Sequence, residues 1–263
     1  MKKVCVITGG TSGIGKCTAE AMLQKGYAVY TLSRQAEGLG GMRHIVADVT
    51  DGAACARAIE MVLQEAGRID ILINNAGFGI SGAVEFTPPE AARRQLDVNF
   101  FGMVNMNHAA LPVMRKQGFG RIVNLSSVAG AIPIPFQAFY SASKAAINSY
   151  TMALANEVRP FGIEVLCVQP GDIQTGFTAA RQKVCAGDEI YGGRISRSVS
   201  RMEHDEQSGM RPEAAAKFIC RAATGKSTRP IQTIGLSYRL FCVLQKLLPA
   251  AALNRLVGLV YAK

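Results

Sequence analysis

A phenol and an amine four residues apart are the pair with the clearest chemical use in this sequence. In a helix, Tyr140 and Lys144 lie on one face, so the ammonium can approach the phenol. A nearby cation favours phenolate, and we expect Lys144 to lower the pKa of Tyr140 from about 10, toward neutral pH. The hydroxyls of Ser126 and Ser127 lie upstream and are candidates for binding the same reacting oxygen. Taken alone, the pair also fits a buried tyrosine followed by a solvated lysine.

A glycine-rich turn follows the first predicted strand. The apolar run 4–8 predicts a buried strand, and residues 13–24 predict a helix that ends at Gly26. The turn between them contains Gly9, Gly10, Gly13 and Gly15. Strand, turn and helix together are typical of the first βα unit of a dinucleotide-binding fold, where N–H groups at the helix start face a pyrophosphate. The spacing differs from the common G-x-G-x-x-G, and a glycine turn without a ligand stays open for this segment alone.

The end of the second predicted strand bears on the choice of cofactor. Residues 28–32 form this strand, and Ser33 and Arg34 follow it at the place where nicotinamide-binding folds contact the adenosine ribose. An acidic residue there would bind the 2′-hydroxyl of NAD, whereas an arginine accommodates a 2′-phosphate. Ser33, Arg34 and Ser12 in the glycine turn therefore favour NADP(H), with NAD(H) as the alternative. Arg34 could instead be a solvated loop cation.

Strands and helices are predicted to alternate along the rest of the chain. Further strands are predicted at 44–47, 69–73, 120–125, 164–168 and 231–234, and helices at 51–65, 90–117, 140–159 and 212–223. This alternation predicts one α/β domain over residues 1–263, with a parallel sheet covered by helices on both faces. Polar segments at 48–49, 74–77 and 169–175 follow three of the strands, at the sheet edge where open α/β folds bind ligands.

Composition narrows the classes of function. The chain is 49% hydrophobic and 18% charged, which is typical of a globular protein, and its net charge is +10. Residues 214–263 contain eight Lys and Arg and no Asp or Glu, an asymmetry that suggests a surface partner. No nucleic-acid-binding motif is present, so we expect no nucleic-acid partner. Seven scattered cysteines without a C-x-x-C pair predict reduced thiols in a cytoplasmic protein, with no zinc site and no disulfide framework.

Taken together, these segments resemble the short-chain dehydrogenase/reductase family, whose members have a Rossmann-type doubly wound sheet and a catalytic Asn-Ser-Tyr-Lys tetrad. The resemblance covers residues 3–176. Residues 8–15 match the family's T-G-x-x-x-G-x-G, residues 74–77 match its N-N-A-G, and residues 170–175 match the segment that holds the nicotinamide carboxamide. Ser127 precedes Tyr140 by 13 residues, the family's usual interval, and Asn99 lies in the helix that holds the family's catalytic asparagine.

The resemblance implies the roles of individual residues. The implied catalytic residues are Asn99, Ser127, Tyr140 and Lys144. The implied cofactor-binding residues are Gly9, Thr11, Ser12, Gly13, Ile14, Gly15, Ser33, Arg34, Asp48, Val49, Asn75, Ala76, Gly77, Tyr140, Lys144, Pro170, Gly171, Ile173 and Thr175. The family's chemistry requires no metal.

The implied reaction is hydride transfer between a nicotinamide and a carbonyl/secondary alcohol pair. In the reducing direction a hydride passes from NADPH to the carbonyl carbon, Tyr140 donates the proton and Ser127 binds the carbonyl oxygen. Lys144 binds the nicotinamide ribose and lowers the pKa of Tyr140, and Asn99 holds a water that passes protons to Lys144. Two alternatives stay open: an NAD(H)-dependent enzyme for a small polar ketone or alcohol, and a cofactor-binding regulator without turnover.

Residues 176–211 are predicted to form a mobile lid over the substrate, with His204 on its surface. The predicted pocket wall consists of Phe78, Ile80, Ile132, Ile134, Phe136, Phe177 and Tyr191. This wall is mostly apolar, so we expect a lipophilic substrate that is steroid-like, retinoid-like or long-chain. Packing of several of these residues in the core is the alternative.

Residues 236–263 predict one or two helices interrupted at Pro249, with cations at Arg239 and Lys246. An apolar stripe consists of Leu236, Leu240, Phe241, Leu244, Leu247 and Leu248. This ending is similar to that of the hydroxysteroid and retinol dehydrogenase type of family member, and we expect a homo-oligomer, a dimer or a tetramer. Three interpretations stay open: helices folded against their own domain, a peripheral membrane-surface helix with its cations toward lipid phosphate, and a dimer contact.

Overall fold

In the computed structural model, which describes residues 1–262, strands and helices alternate along the chain. The main sheet contains β1 (Val4–Thr8), β2 (Ala28–Ser33), β3 (Arg43–Val46), β4 (Ile71–Asn74), β6 (Gly120–Leu125), β7 (Ile163–Gln169) and β9 (Ile231–Thr233). Two short strands, β5 (Ile80–Ser81) and β8 (Gln182–Lys183), pair with each other. The helices are α1 (Gly13–Gln24), α2 (Gly52–Ala66), α3 (Pro89–Leu96), α4 (Gly102–Gln117), α5 (Ala138–Val158), α6 (Phe177–Ala180), α7 (Arg194–Gln207), α8 (Pro212–Thr224), α9 (Leu236–Leu247) and α10 (Ala250–Tyr261).

The main sheet has the strand order β3-β2-β1-β4-β6-β7-β9, and all its pairs are parallel. Its inner strands are apolar on both faces, as β1 shows with five buried residues in succession. One hydrophobic core packs α2, α4 and α5 against one face of the sheet, and a second packs α1 and α8 against the other. The predicted doubly wound parallel sheet is therefore confirmed.

The order of connection reverses between β1 and β4, which are neighbours in the sheet. From β1 the chain continues outward to β2 and β3, and after α2 it returns to β4 and continues to the opposite edge. Connections leave the carboxyl ends of β1 and β4 in opposite directions, and this opens a crevice at that edge. The predicted cofactor-binding and catalytic segments follow the strands that end there.

Two predicted segments differ in detail from the structure. The helix predicted over 90–117 is interrupted by a π-helical segment, Asp97–Phe101, which joins α3 to α4. The segment predicted as a mobile lid contains α6, β8 and α7, and its strand pairs with β5 in the core. The glycines and charged residues at 176–211 predicted a mobile segment. A buried ion pair instead joins Arg181, the residue after α6, to Glu206 on α7.

Two arginines of the sheet differ in burial. Comparing them tests whether buried side-chain hydrogen bonds stabilise the central strands. The guanidinium of Arg121 on β6 is buried and donates to Glu164 on β7 and to the carbonyl oxygens of Ala222 and Gly225, at 2.6, 2.8 and 2.5 Å. Arg43 on the edge strand β3 pairs with Glu65, but 70% of its side chain is exposed.

We expect Arg121→Met to lower the free energy of unfolding by about 1–3 kcal/mol, because three acceptors lose their donor. Arg43→Met should cost less than about 1 kcal/mol, since its ion pair is screened by water. Urea denaturation of both variants measures the difference. Equal losses in the two variants would contradict a role of Arg121 in joining β6, β7 and the end of α8.

Candidate active site

A cavity of about 1130 Å³ opens at the carboxyl edge of the sheet. Its polar end is formed by the glycine turn after β1 and by the segments that follow β4, β6 and β7. Its other walls come from α5, the lid, α9 and α10. Of the predicted site residues, those that line it are Gly9, Ser12, Gly13, Ile14, Gly15, Asn75, Ala76, Gly77, Ser127, Tyr140, Lys144, Pro170, Gly171, Ile173 and Thr175.

In the glycine turn, the backbone at the start of α1 lies close to the backbone at the end of β1. The first N–H groups of α1 have no backbone acceptor. Gly9 and Gly13 have φ angles of +62° and +51°, which side chains beyond glycine rarely adopt. A Cβ on Gly15 would lie 2.1 Å from the carbonyl oxygen of Gly9. Ser12 precedes α1 without a side-chain capping bond to the described backbone, so the first N–H groups of the helix point toward the cavity unpaired. This turn fits the pyrophosphate of a dinucleotide.

Asn75, which directly follows β4, ties the end of that strand to the glycine turn. Its Nδ2 donates to the carbonyl oxygens of Thr8 and Gly9, each at 3.0 Å. In return, Oγ1 of Thr8 accepts from the N–H groups of Asn75 and Ala76, both at 3.0 Å. Thr175 also approaches the turn, because a Cβ on Gly13 would lie 3.6 Å from that of Thr175. Three sequence-distant segments therefore form one cofactor cradle.

Tyr140 and Lys144 occupy one face of α5, as the four-residue spacing predicts. Nζ of Lys144 lies 5.6 Å from the centre of the Tyr140 ring and donates to the carbonyl oxygen of Leu125 at 2.8 Å. The side chain of Ser127, which follows β6, acts on the Tyr140 phenol and lowers its pKa. Oγ of Ser127 also accepts from the N–H of Ala129 at 3.1 Å, which fixes its position above the strand.

The pKa of Tyr140 is not lowered toward neutral pH as expected. Burial raises it to about 12, and the side chain of Ser127 only partly opposes this. Burial also lowers the pKa of Lys144 to about 8, and its ammonium donates to the Leu125 carbonyl oxygen. Desolvation is the largest cause of the shift in both groups. The phenol is therefore protonated at neutral pH, and it holds this proton more tightly than a solvated tyrosine does.

Asn99 lies in the π-helical segment and is buried. Its Oδ1 accepts from the N–H of Phe78 at 2.9 Å, and its Nδ2 donates to the Phe78 carbonyl oxygen at 3.0 Å and to Oγ of Ser143 at 3.1 Å. A Cβ on Gly77 would lie 3.1 Å from Oδ1 of Asn99 and 3.8 Å from Nζ of Lys144, so both atoms border one small space. The amide thus positions the loop after β4 and faces the amine across that space.

The residues predicted to bind the adenosine end lie beside the glycine turn, outside the cavity wall. The N–H of Gly9 donates to the carbonyl oxygen of Leu32 at 2.7 Å, which places the end of β2 next to the turn. Ser33 is half-buried, and its Oγ accepts from the N–H of Gln35 at 3.2 Å. Arg34 is exposed and makes no hydrogen bond or ion pair with any residue among 1–262. Its guanidinium is available to an anionic ligand.

The other predicted cofactor residues at this end have structural partners. Oδ1 of Asp48 accepts from the N–H and the hydroxyl of Thr50, at 2.9 and 2.8 Å. Val49 is buried, and its carbonyl oxygen accepts from Nδ2 of Asn105 at 2.9 Å. Thr11 is half-buried in the glycine turn.

The predicted pocket wall is partly wrong. Phe78, Ile132, Ile134 and Phe177 line the cavity, as expected. Ile80 is instead buried in β5, and Phe136 and Tyr191 pack against α7 in a separate hydrophobic cluster. Ile80 is therefore a core residue, whereas Phe136 and Tyr191 are half-buried and pack against each other with ring centroids 5.8 Å apart.

Two wall residues near the reacting groups were not predicted as site residues. Asp172 lies in the segment after β7, and its carboxylate accepts from the hydroxyl of Tyr238 on α9 at 2.5 Å. A Cβ on Gly171 would lie 2.3 Å from the Tyr238 ring, so this ring covers Gly171. Burial raises the pKa of Asp172. The sequence places Tyr238 more than 60 residues from this segment, and only the fold brings the two together.

Burial of Lys144 should make the stability of the protein depend on pH, and comparison with Lys144→Met measures this contribution. Between its lowered pKa of about 8 and its usual value near 10.5, the unfolded state binds more protons at this site than the folded state. The parent protein should therefore gain about 2 kcal/mol of stability relative to Lys144→Met between pH 8 and pH 9.5. Urea denaturation at both pH values measures this difference. A constant gap between the two proteins would contradict the buried, desolvated amine.

The comparisons with known proteins agree with this site. A family model described as short chain dehydrogenase matches residues 3–185. A 3-ketodihydrosphingosine reductase of Bacteroides thetaiotaomicron is 44% identical over 228 residues, which cover 86% of this chain and 85% of that protein. The crystal structure of a short-chain dehydrogenase from Streptomyces avermitilis aligns with a TM-score of 0.86 at 31% identity, covering 97% of this chain and 95% of that one.

Two further similar structures contain a nicotinamide cofactor. ElxO with NADP bound has a TM-score of 0.77 at 28% identity, covering 91% of this chain and all of that one. The 3-ketoacyl-(acyl-carrier-protein) reductase from Brucella melitensis, complexed with NADH, has a TM-score of 0.74 at 25% identity, covering 88% and 96%. The predicted family is confirmed: this chain belongs to the short-chain dehydrogenase/reductase family of nicotinamide-dependent oxidoreductases.

Proposed function

We propose that this protein reduces the carbonyl group of a lipophilic ketone with NADPH, and that Tyr140 supplies the proton. The observation that carries the proposal is that the Tyr140 phenol and the Ser127 hydroxyl lie together at the polar end of a large and mainly apolar cavity. Reduction of a ketone consumes a proton at the carbonyl oxygen, and the phenol, which is protonated at neutral pH, is the group beside Ser127 that can supply it.

Each reacting group has a separate task. Bound nicotinamide supplies the hydride that the carbonyl carbon receives. The hydroxyl of Ser127 donates a hydrogen bond to the carbonyl oxygen, and the hydroxyl of Tyr140 transfers its proton to that oxygen as negative charge develops there. Lys144 would hold the nicotinamide ribose and return a proton to the phenolate, and the space between its Nζ and Asn99 is where a relay water would lie.

A long alkyl chain fits the remaining cavity. Its outer wall is built from apolar side chains of α9 and α10, among them Phe241, Leu244, Leu248, Leu253 and Val257. The volume of about 1130 Å³ exceeds the roughly 300–1,000 Å³ that is typical of sites for drug-sized ligands, so it holds a nicotinamide and an extended substrate together.

We propose a long-chain 3-keto amine as the substrate class, in line with the name of the Bacteroides relative. Such a ketone has an amino group close to the carbonyl carbon. Asp172 is a cavity-lining carboxylate in the segment expected to face the nicotinamide, and it offers an opposite charge to that amine. Steroid-like and retinoid-like ketones fit the apolar wall but not this carboxylate.

We further propose that the preferred cofactor is NADP(H). Arg34 is exposed beside the glycine turn and unpaired with the rest of residues 1–262, and Ser33 adds a hydroxyl instead of a carboxylate. A guanidinium binds a 2′-phosphate by charge-assisted hydrogen bonds, whereas a neutral serine does not select the 2′-hydroxyl of NAD as an acid would.

Tyr140→Phe tests the proton donor. We expect kcat for NADPH oxidation with 3-ketodihydrosphingosine to fall about 10²–10⁴-fold, because the ring stays but the proton donor is lost. The Kd for NADPH, from fluorescence titration, should rise no more than about tenfold, because the loss of one neutral hydrogen bond to the cofactor costs about 0.5–1.5 kcal/mol. Tyr150→Phe on the same helix is the matched control and should retain the parent rate. Full activity of Tyr140→Phe would refute the mechanism.

A ketone panel tests the substrate class with the unaltered protein. Long-chain 3-keto amines should be reduced with a higher kcat/KM than long-chain ketones without the amine, steroids, retinoids and small ketones. NADPH binding without oxidation above background for every ketone would instead support the cofactor-binding regulator.

Arg34→Asp tests the cofactor preference. We expect the KM for NADPH to rise at least about tenfold, since a charge-assisted hydrogen bond is lost and a repulsive carboxylate is added. The KM for NADH should change little or fall. Arg115→Asp is the control, because Arg115 lies at the end of α4 near the opposite edge of the sheet. Equal changes for both cofactors would remove the assignment of Arg34 to the phosphate.

A further inference from the structure

Helix α9 has two apolar faces, and only one of them is used by the cavity. Tyr238, Phe241, Leu244, Gln245 and Leu248 face the cavity. A second stripe consists of Leu236, Leu240, Val243 and Leu247, spaced at intervals of four, three and four residues, which share one side of a helix. Within residues 1–262 the cavity wall contains none of these four, and they are 83, 56, 54 and 74% exposed. We name this second stripe the outer face of α9.

Polar contacts hold the two C-terminal helices in this orientation. The Tyr238 hydroxyl donates to Asp172, and that of Tyr261 donates to Asp205 at 3.3 Å. Nε of Arg194 donates to the carbonyl oxygen of Ala262 at 2.7 Å. Both ends of the helix pair are therefore attached to the domain, and α9 cannot turn its outer face inward without losing the first of these bonds.

Positive charge borders the outer face. Arg239 is three residues after Leu236 and Lys246 is three residues after Val243, so both cations lie next to the stripe on one side of the helix. Both are exposed, and so is Arg255 on α10. Nε of Arg239 donates to the Thr233 carbonyl oxygen at 2.8 Å, and its guanidinium lies 5.5 Å from the centre of the Phe218 ring, so its remaining N–H groups are those that would contact a phosphate. No Asp or Glu occurs among residues 214–263 to neutralise these charges. An apolar stripe bordered by cations is the pattern of a helix that lies in the interface of a bilayer.

Among residues 1–262, no helix combines the length and the hydropathy that crossing a bilayer requires. Helices α9 and α10 have 12 residues each. We propose that the outer face of α9 docks on the surface of a bilayer that contains anionic lipids, with the helix parallel to the surface. The apolar side chains enter the boundary between headgroups and acyl chains, and Arg239 and Lys246 contact lipid phosphates.

The charges favour a bilayer over a second copy of this chain. In a two-fold symmetric contact, the same patch of each copy faces its equivalent. Such a contact through the outer face would bring the cations that border it toward one another, with no acidic residue in 214–263 to pair with them. Anionic headgroups supply the missing counter-charge for each cation near the surface.

Docking would also bring the cavity against the lipid. The inner side of α9 and much of α10 form the cavity wall, so docking of the outer face places this wall next to the lipid. In combination with the proposed function, on which this consequence rests, a long-chain ketone could enter from the bilayer without crossing water. The docking itself does not depend on catalysis and is tested without substrate.

The sequence contains no tryptophan, so one introduced tryptophan reports on its own position. In Leu240→Trp the indole lies on the outer face, and in the control Met61→Trp it lies on α2, where Met61 is 45% exposed. We expect the emission of Leu240→Trp to shift to shorter wavelength on addition of phosphatidylcholine vesicles that contain phosphatidylglycerol, with a smaller shift for pure phosphatidylcholine. The emission of Met61→Trp should not shift with either.

Sedimentation with the same vesicles provides the second measurement. The parent protein should pellet with the anionic vesicles, and Leu240→Glu should lose most of this binding while Met61→Glu keeps it. An unshifted Leu240→Trp emission, or a parent protein that stays in the supernatant, would overturn the proposal. A blue shift that appears without lipid and grows with protein concentration would also overturn it, since it would identify a contact between copies. Neither result bears on NADPH oxidation, so docking and the proposed function can fail separately.

Discussion

Burial of an amine and a phenol side by side is the constraint on which the site depends. Lys144 is buried with one carbonyl acceptor, and Tyr140 shares its face of α5. Desolvation moves the two pKa values in opposite directions, toward the neutral form of each group. The phenol therefore keeps its proton at neutral pH, and Nζ of Lys144 lies 5.6 Å from the centre of its ring. Both groups obtain these properties from the strands and helices that exclude water around them.

The sheet excludes water from the site and also arranges the segments that line it. Neighbouring parallel strands β1, β4, β6 and β7 all end at one edge, so the segments that follow them converge although they are far apart in sequence. Asn75 then joins the ends of β1 and β4 by side-chain bonds. The strands and the side-chain hydrogen bonds of Asn75 together fix the conformation of the glycine turn. Two positive φ angles in this turn would be strained for residues other than glycine. The cofactor cradle is thus a property of the sheet edge and not of the turn alone.

Local features of the site could be predicted from sequence, whereas features that depend on packing could not. The glycine turn, the doubly wound parallel sheet and the face shared by Tyr140 and Lys144 follow from short-range periodicity and from the family resemblance. The pKa of Tyr140 depends on the burial of its surroundings, which residue spacing does not reveal. Ile80, Phe136 and Tyr191 are apolar and predicted to line the pocket, but Ile80 lies in a buried strand, and Phe136 and Tyr191 pack against α7. The π-helical segment around Asn99 leaves no signal in the hydrophobic pattern.

The two C-terminal helices, α9 and α10, are less buried than the central strands of the sheet. No residue of α9 or α10, which lie wholly within the described chain, is fully buried, whereas β6 is buried along its whole length. Segments with few buried apolar contacts open at lower free-energy cost than core strands. We therefore expect α9 and α10 to separate from the domain at a lower free-energy cost than β6 and its neighbours. Under the proposed function, the apolar surface exposed by such an opening is the surface that the substrate would cover.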